Sequence, residues 1–148
     1  MPTTSSEGQA RSPEWALLFL GWLVATVATL GSLFLSDVMG LPPCSLCWYQ
    51  RVALFPLVLV LGAGLLSFDA AVVKYALPLA AAGWLVALYQ SLLDWGILPK
   101  DIQPCTGGVP CTDRNLELLG FLSIPLMSLL AFTAIVTLLF FLRKRVSR

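Results

Sequence analysis

The chain contains no histidine. This removes the commonest general base at neutral pH and the usual haem and zinc ligand. A bis-histidine membrane cytochrome and Ser-His-Asp hydrolysis are both excluded on that ground. Charge is also scarce, at 11% of residues against 58% hydrophobic. A soluble domain carries about a quarter charged residues. With a mean hydropathy of +0.86, too little polar surface is left to cover a water-facing sphere, so the solvent is lipid. A net charge of +1 gives no reason to expect nucleic acid or a strongly acidic substrate. The 148 residues fit one compact membrane domain and leave no room for a second, soluble one.

Residues 1–13 are polar and read as a flexible arm. Four apolar stretches follow: Trp15 to about Leu35, a second through Val52–Leu66, a third over Tyr75–Leu93, and a fourth over Leu118–Leu142. A bilayer core about 30 Å thick takes roughly 20 helical residues. The second stretch reaches that length only if its helix begins near Leu46. The first is too long for the core of a signal peptide, and Ser36-Asp37-Val38-Met39 is no small-x-small cleavage site. The expected architecture is an all-α integral membrane four-helix bundle over residues 14–142, with a basic tail over 143–148. Pro56, Pro78 and Pro125 read as kinks inside spans. Gly21, Gly62, Gly64 and Gly83 permit close helix packing.

Orientation is set by the basic residues that flank the spans. With four spans both termini share one side, which holds Arg11, Lys74, Arg143, Lys144, Arg145 and Arg148, six of the nine Lys and Arg. The other side holds Arg51, Lys100 and Arg114. The termini are therefore expected in the cytoplasm.

The four cysteines form two close pairs on the opposite, oxidising side, where disulfides persist. Cys44-Ser-Leu-Cys47-Trp-Tyr-Gln-Arg51 opens the second span just after Pro42-Pro43. Proline disfavours helix in the residue before it, which puts the helix start around Cys44–Leu46. Thiols in a first turn face free amides and the positive dipole end, which lowers their pKa. Residues 44, 47 and 51 share one face, with Arg51 roughly 6 Å of rise beyond Cys47 at about 1.5 Å per residue. Alone, Arg51 reads as a flank residue snorkelling to the interface. Its shared face with two cysteines favours holding a thiolate or an anionic ligand. Trp15, Trp48, Tyr49, Tyr89 and Trp95 read as interfacial anchors.

Cys105 and Cys111 lie in a turn-rich loop with Pro104, Gly107, Gly108 and Pro110, before the fourth span. The glycines allow the two sulfurs to come within bonding distance. A structural staple is one reading, although it closes a very small loop in an already packed bundle. A small, exposed disulfide that exchanges readily is the other, and the setting favours it. Zinc held by four thiolates fits poorly, because the second pair is spaced too widely for a usual half-site.

Cys-x-x-Cys followed by a hydrophobic residue, Tyr, a polar residue and Arg at the start of the second of four spans resembles the DsbB/BdbC disulfide bond formation proteins. So does a second cysteine pair before the fourth span. The resemblance covers about Trp15 to Leu142. It implies a bacterial cell-membrane oxidase that reoxidises a thioredoxin-fold dithiol oxidase of the DsbA/BdbD kind and passes two electrons to a membrane quinone, ubiquinone or menaquinone. By resemblance, Cys44 and Cys47 are the quinone-side pair, with Cys47 the thiolate beside the ring and Arg51 supporting quinone binding. Cys105 is the cysteine attacked by the partner, and Cys111 its companion that exchanges with Cys44. The five residues between Cys105 and Cys111 leave no room for a surface helix, as in the short-loop BdbC branch. Apart from lipid, no nucleic-acid or metal partner is expected.

Two rivals stand beside this reading. A vitamin K epoxide reductase-like protein has its loop cysteines before its Cys-x-x-Cys, the reverse of the order here. A non-enzymatic scaffold with two structural disulfides predicts bridges that mild reductant cannot open.

Overall fold

The computed structural model describes residues 13–67, 69–99 and 123–147. Four long helices dominate: α1 (Pro13–Leu33), α2 (Ser45–Ser67), α3 (Val73–Asp94) and α4 (Ile124–Val146). A π-helical turn, Phe34–Val38, extends α1, and a short 3₁₀ turn, Ala70–Val72, leads into α3. No strand occurs among the described residues. Each of the four is long and apolar enough to cross a membrane. The fold is the expected all-α four-helix membrane bundle.

Sequence chemistry accounts for where the helices stop and start. Gly40, at φ 67°, supplies the left-handed turn between the π segment and α2. Gly96, at φ 73°, ends α3. There the Gly96 amide donates to the Leu93 carbonyl and the Ile97 amide to the Leu92 carbonyl, both at 3.1 Å. This is the paired bonding that satisfies the last carbonyls of a helix.

At α4, Ser123 is extended (φ −74°, ψ 147°) and Pro125 lies in the first turn. Pro125 is therefore no kink inside a span. In a first turn the missing N–H has no intrahelical acceptor to lose, so proline fits there without bending the helix. Pro56 and Pro78 do lie within α2 and α3. The far end of α4 also differs from expectation, since helix continues through Arg143, Lys144 and Arg145 to Val146. Cations in a last turn complement the helix dipole, which carries the helix beyond the apolar run.

Each helix packs on its neighbours in sequence, and α4 closes the ring against α1. The shared core includes Leu18, Ala25, Leu57, Leu61, Ala80, Phe132, Ile135 and Leu139. Lipid is as apolar as these side chains, so close packing rather than water exclusion selects the inner faces. Gly83 shows this directly: a Cβ there would overlap the Phe132 ring of α4. A Cβ on Gly62 would lie 3.1 Å from the Trp22 indole nitrogen of α1. Gly64 is pressed against Val72, whereas Gly21 has only an ordinary contact with Leu61. Trp84 Nε1 donates to Thr133 Oγ1 at 2.9 Å, a polar tie between α3 and α4. Large apolar residues such as Leu59, Leu66 and Tyr75 are exposed on the outside, where a bilayer would contact them.

Candidate active site

Cys44 is the N-cap of α2. Its carbonyl accepts the first helical bond, from the Trp48 amide at 3.1 Å. Its sulfur accepts from the Cys47 amide at 3.4 Å, the place a serine or aspartate oxygen takes in an ordinary cap. The Pro42-Pro43 segment keeps the chain extended up to this residue, and helix begins at once afterwards. The cap brings the two sulfurs to 3.0 Å in the thiol form. Cys44 is buried and Cys47 half-buried. The contact with Cys47, and then burial, push the Cys44 thiol above its ordinary value. This reverses, for Cys44, the lowering expected from the helix terminus alone.

Arg51 lies one turn deeper on α2 and is itself buried. Its guanidinium donates to the Ser32 carbonyl and, at 3.0 Å, to Ser36 Oγ. It also lies 5.5 Å from the centre of the Trp48 ring. Ser36 belongs to the π-helical turn, a form of helix that is frequent at functional sites. Arg51 is therefore not a snorkelling flank residue. It is drawn inward by acceptors on α1.

Two residues that motif spacing did not single out complete the polar cluster. Gln90 of α3 is 2% exposed, and its Nε2 lies 3.6 Å from the sulfurs of both Cys44 and Cys47. Gln50 of α2 donates to Gln90 Oε1 at 2.7 Å. The available signal was that an amide inside an apolar span is expensive to keep without a purpose. Tyr89 also departs from expectation, packing against the small cluster of Cys44, Leu46 and Leu93 rather than standing only as an interfacial anchor. Trp48, Tyr49 and Trp95 are exposed, as anchors would be.

A cavity of about 910 Å³ opens beside the dithiol, between α1, α2 and the start of α4. Its wall is mostly aliphatic and aromatic, with Cys44, Cys47, Gln50, Arg51, Gln90 and Asp94 supplying polar groups. Large apolar cavities with a few convergent polar groups are the usual form of small-molecule sites. Cys105 and Cys111 lie outside the described residues. Of the described residues nearest them in sequence, Leu98 packs on the Cys44 cluster and Ser123 lies on the cavity wall.

A vicinal dithiol capping a membrane helix, beside an apolar cavity and a buried arginine, places the chain among four-helix membrane thiol proteins. The sequence carries a match to the family model for disulfide bond formation protein DsbB over residues 13–142. A probable disulfide formation protein of Metapseudomonas resinovorans is 42% identical over 93% of this chain and 96% of its own length. Disulfide bond formation protein C of Bacillus subtilis is 40% identical over 80% of this chain and 86% of that one. Probable disulfide formation protein C 2 of Bacillus anthracis is 45% identical over 82% and 86% respectively. No solved structure matches the chain. The chain belongs to the DsbB family of disulfide bond formation proteins and is a disulfide-forming membrane oxidoreductase.

Proposed function

We propose that the protein reoxidises an extracytoplasmic thioredoxin-fold dithiol oxidase and delivers the two electrons to a membrane quinone. The observation that carries this is the Cys44–Cys47 pair, 3.0 Å apart and on the wall of the 910 Å³ cavity that Arg51 also lines. The cavity residues suit such a ligand. An apolar wall accommodates a ring and lipid tail, while the Arg51 guanidinium offers donors to a ring carbonyl at the cysteine end.

In this scheme a partner thiolate attacks Cys105, forming a mixed disulfide and releasing Cys111. The partner's second thiol resolves that bond and leaves oxidised. Cys111 then attacks Cys44, and Cys47 is released as a thiolate on the cavity wall. The Cys105 thiolate then attacks Cys111, restoring the Cys105–Cys111 bond and releasing Cys44, and oxidation of the Cys44–Cys47 dithiol to its disulfide closes the cycle. A bound quinone supplies a two-electron, two-proton acceptor for that last oxidation. Arg51, held by Ser32 and Ser36, keeps a fixed positive charge on the wall that Cys47 shares. A partner as oxidising as about −120 mV, where about 30 mV equals 1.4 kcal/mol for two electrons, requires an acceptor of clearly higher potential. A respiratory quinone meets that requirement.

Six of the nine basic residues flank the side of the termini, which supports cytoplasmic termini and cysteines facing outward in a bacterial cell membrane. The test is anaerobic reduction of a soluble quinone by the purified protein supplied with a reduced thioredoxin-fold dithiol. Turnover is expected, and is expected to vanish in Cys47→Ser. Turnover surviving in that variant would overturn the scheme. No turnover with any quinone, together with disulfides that resist mild reductant, would favour the scaffold.

A further inference from the structure

Helix α3, which carries no cysteine, brings the Gln90 amide to the dithiol. Gln90 of α3 is 2% exposed, and its Nε2 stands 3.6 Å from Cys44 Sγ and 3.6 Å from Cys47 Sγ. A primary amide nitrogen has two hydrogens, so one group can face both sulfurs at once. The other end of the same amide is occupied, since Gln50 Nε2 donates to Gln90 Oε1 at 2.7 Å. An amide can turn over and present either its oxygen or its nitrogen to a neighbour. A donor fixed on its oxygen removes that choice. Gln50 thereby holds Gln90 with its N–H groups toward the cysteines.

The geometry points to a two-amide relay, Gln50 to Gln90 to the dithiol, that sets the reduction equilibrium of the Cys44–Cys47 pair. Gln90 is the positioning residue that acts on the sulfurs, and Gln50 acts only through Gln90. The physical basis is a difference in charge. Reduction converts the Cys44–Cys47 disulfide, two electrons and two protons into two thiols, one of which can lose its proton to become a thiolate. Thiol and thiolate sulfurs accept hydrogen bonds better than disulfide sulfurs, and bonds to a charged acceptor are the stronger kind. A buried donor aimed at both sulfurs thus favours the reduced form. It makes the disulfide a stronger oxidant toward Cys111. The same amide set against a leucine-lined wall would have no other partner for its N–H groups and would cost the bundle stability.

This inference rests on the reading that Cys44 and Cys47 cycle between dithiol and disulfide. Its test is the equilibrium of the full-length protein in detergent against mixtures of reduced and oxidised glutathione. The reaction is disulfide plus two glutathione thiols giving dithiol plus glutathione disulfide. The redox state is read by differential alkylation of the peptide that contains both Cys44 and Cys47, separately from Cys105 and Cys111. Gln90→Leu should lower the equilibrium constant for reduction about tenfold, which is about 30 mV for a two-electron couple. Gln50→Leu should lower it by less, because Gln90 can still donate part of the time. The double variant should match Gln90→Leu alone, since residues acting in series are not additive.

An unchanged equilibrium in Gln90→Leu, with the protein still folded by its melting curve, would overturn the relay. So would a double variant in which the two effects simply add. If Gln90→Leu does not fold, Gln50→Leu still decides: an equilibrium equal to that of the unaltered protein counts against the relay. A Cys44–Cys47 pair that never oxidises in the unaltered protein, even in fully oxidised glutathione, would instead bring down the proposed function and the relay with it.

Discussion

The Arg51 guanidinium, on α2, donates to the backbone carbonyl of Ser32, on α1. The contact joins the cysteine helix to the π-helical end of its neighbour and keeps a cation on the cavity wall. A second donation, to Ser36 Oγ at 3.0 Å, leaves from the same terminal nitrogen. Lysine carries its charge on a single nitrogen and lacks the further donors of the planar guanidinium. Arg51→Lys is expected to raise the KM for a soluble quinone about tenfold, and Arg51→Met more, since one bond to a charged group is worth about 1.5–3 kcal/mol. Steady-state kinetics at saturating dithiol partner checks this. A KM unchanged in Arg51→Met would remove Arg51 from ligand binding.

The two thiols of the reduced pair should react unequally. Cys44 is buried, and its thiol is held above the ordinary value of 9.0 by Cys47 and by burial. The neutral form is therefore kept through neutral pH, and the reactive thiolate is rare. Alkylation by iodoacetamide at pH 7 should label Cys47 first. Labelling of Cys44 should rise about tenfold per pH unit above that, because the thiolate is the nucleophile and its fraction grows tenfold per unit below the pKa. Peptide mapping over time would show the order, and equal rates at pH 7 would contradict it.

Glycine substitutions should separate packing from composition. Gly83→Ala forces a Cβ into the Phe132 ring, at the contact between α3 and α4. Overpacking of this kind costs about 1–3 kcal/mol. Gly31→Ala meets nothing within 4 Å and should change stability by less than about 0.5 kcal/mol. Unfolding in mixed detergent, followed by helix content, measures both. Equal losses would mean that α3 and α4 do not approach as closely as described.

Orientation is open to direct labelling. In whole cells, a membrane-impermeant maleimide should reach a cysteine placed at Met39, in the α1–α2 connection. It should reach one placed at Ser147 only after the cells are opened. The opposite pattern would invert the topology drawn from the basic residues.

Much of this was open to reading along the chain, because it depends on local chemistry. Scarce charge and four apolar runs specify a membrane bundle, since each span must satisfy its own backbone in lipid. Pro42-Pro43 before Cys44 specifies where α2 starts, and a 3.6-residue period puts Cys44, Cys47 and Arg51 on one face. Boundaries that turn on end effects were harder. Pro125 fell in a first turn rather than mid-span, and the basic residues after Leu142 extended α4 instead of ending it.

The solvent, the number of spans and a dithiol beside an arginine at one membrane surface all follow from residue order. That Gln50 and Gln90, forty residues apart, meet behind the two sulfurs follows only from how the helices pack. The same packing turned Arg51 inward to Ser32 and Ser36, and paired Gly83 with Phe132. The reason is physical. A helix apolar all round gives no amphipathic signal of which face is inside. In lipid, side-chain fit and polar pairing across helices choose that face, and both exist only once the helices are side by side.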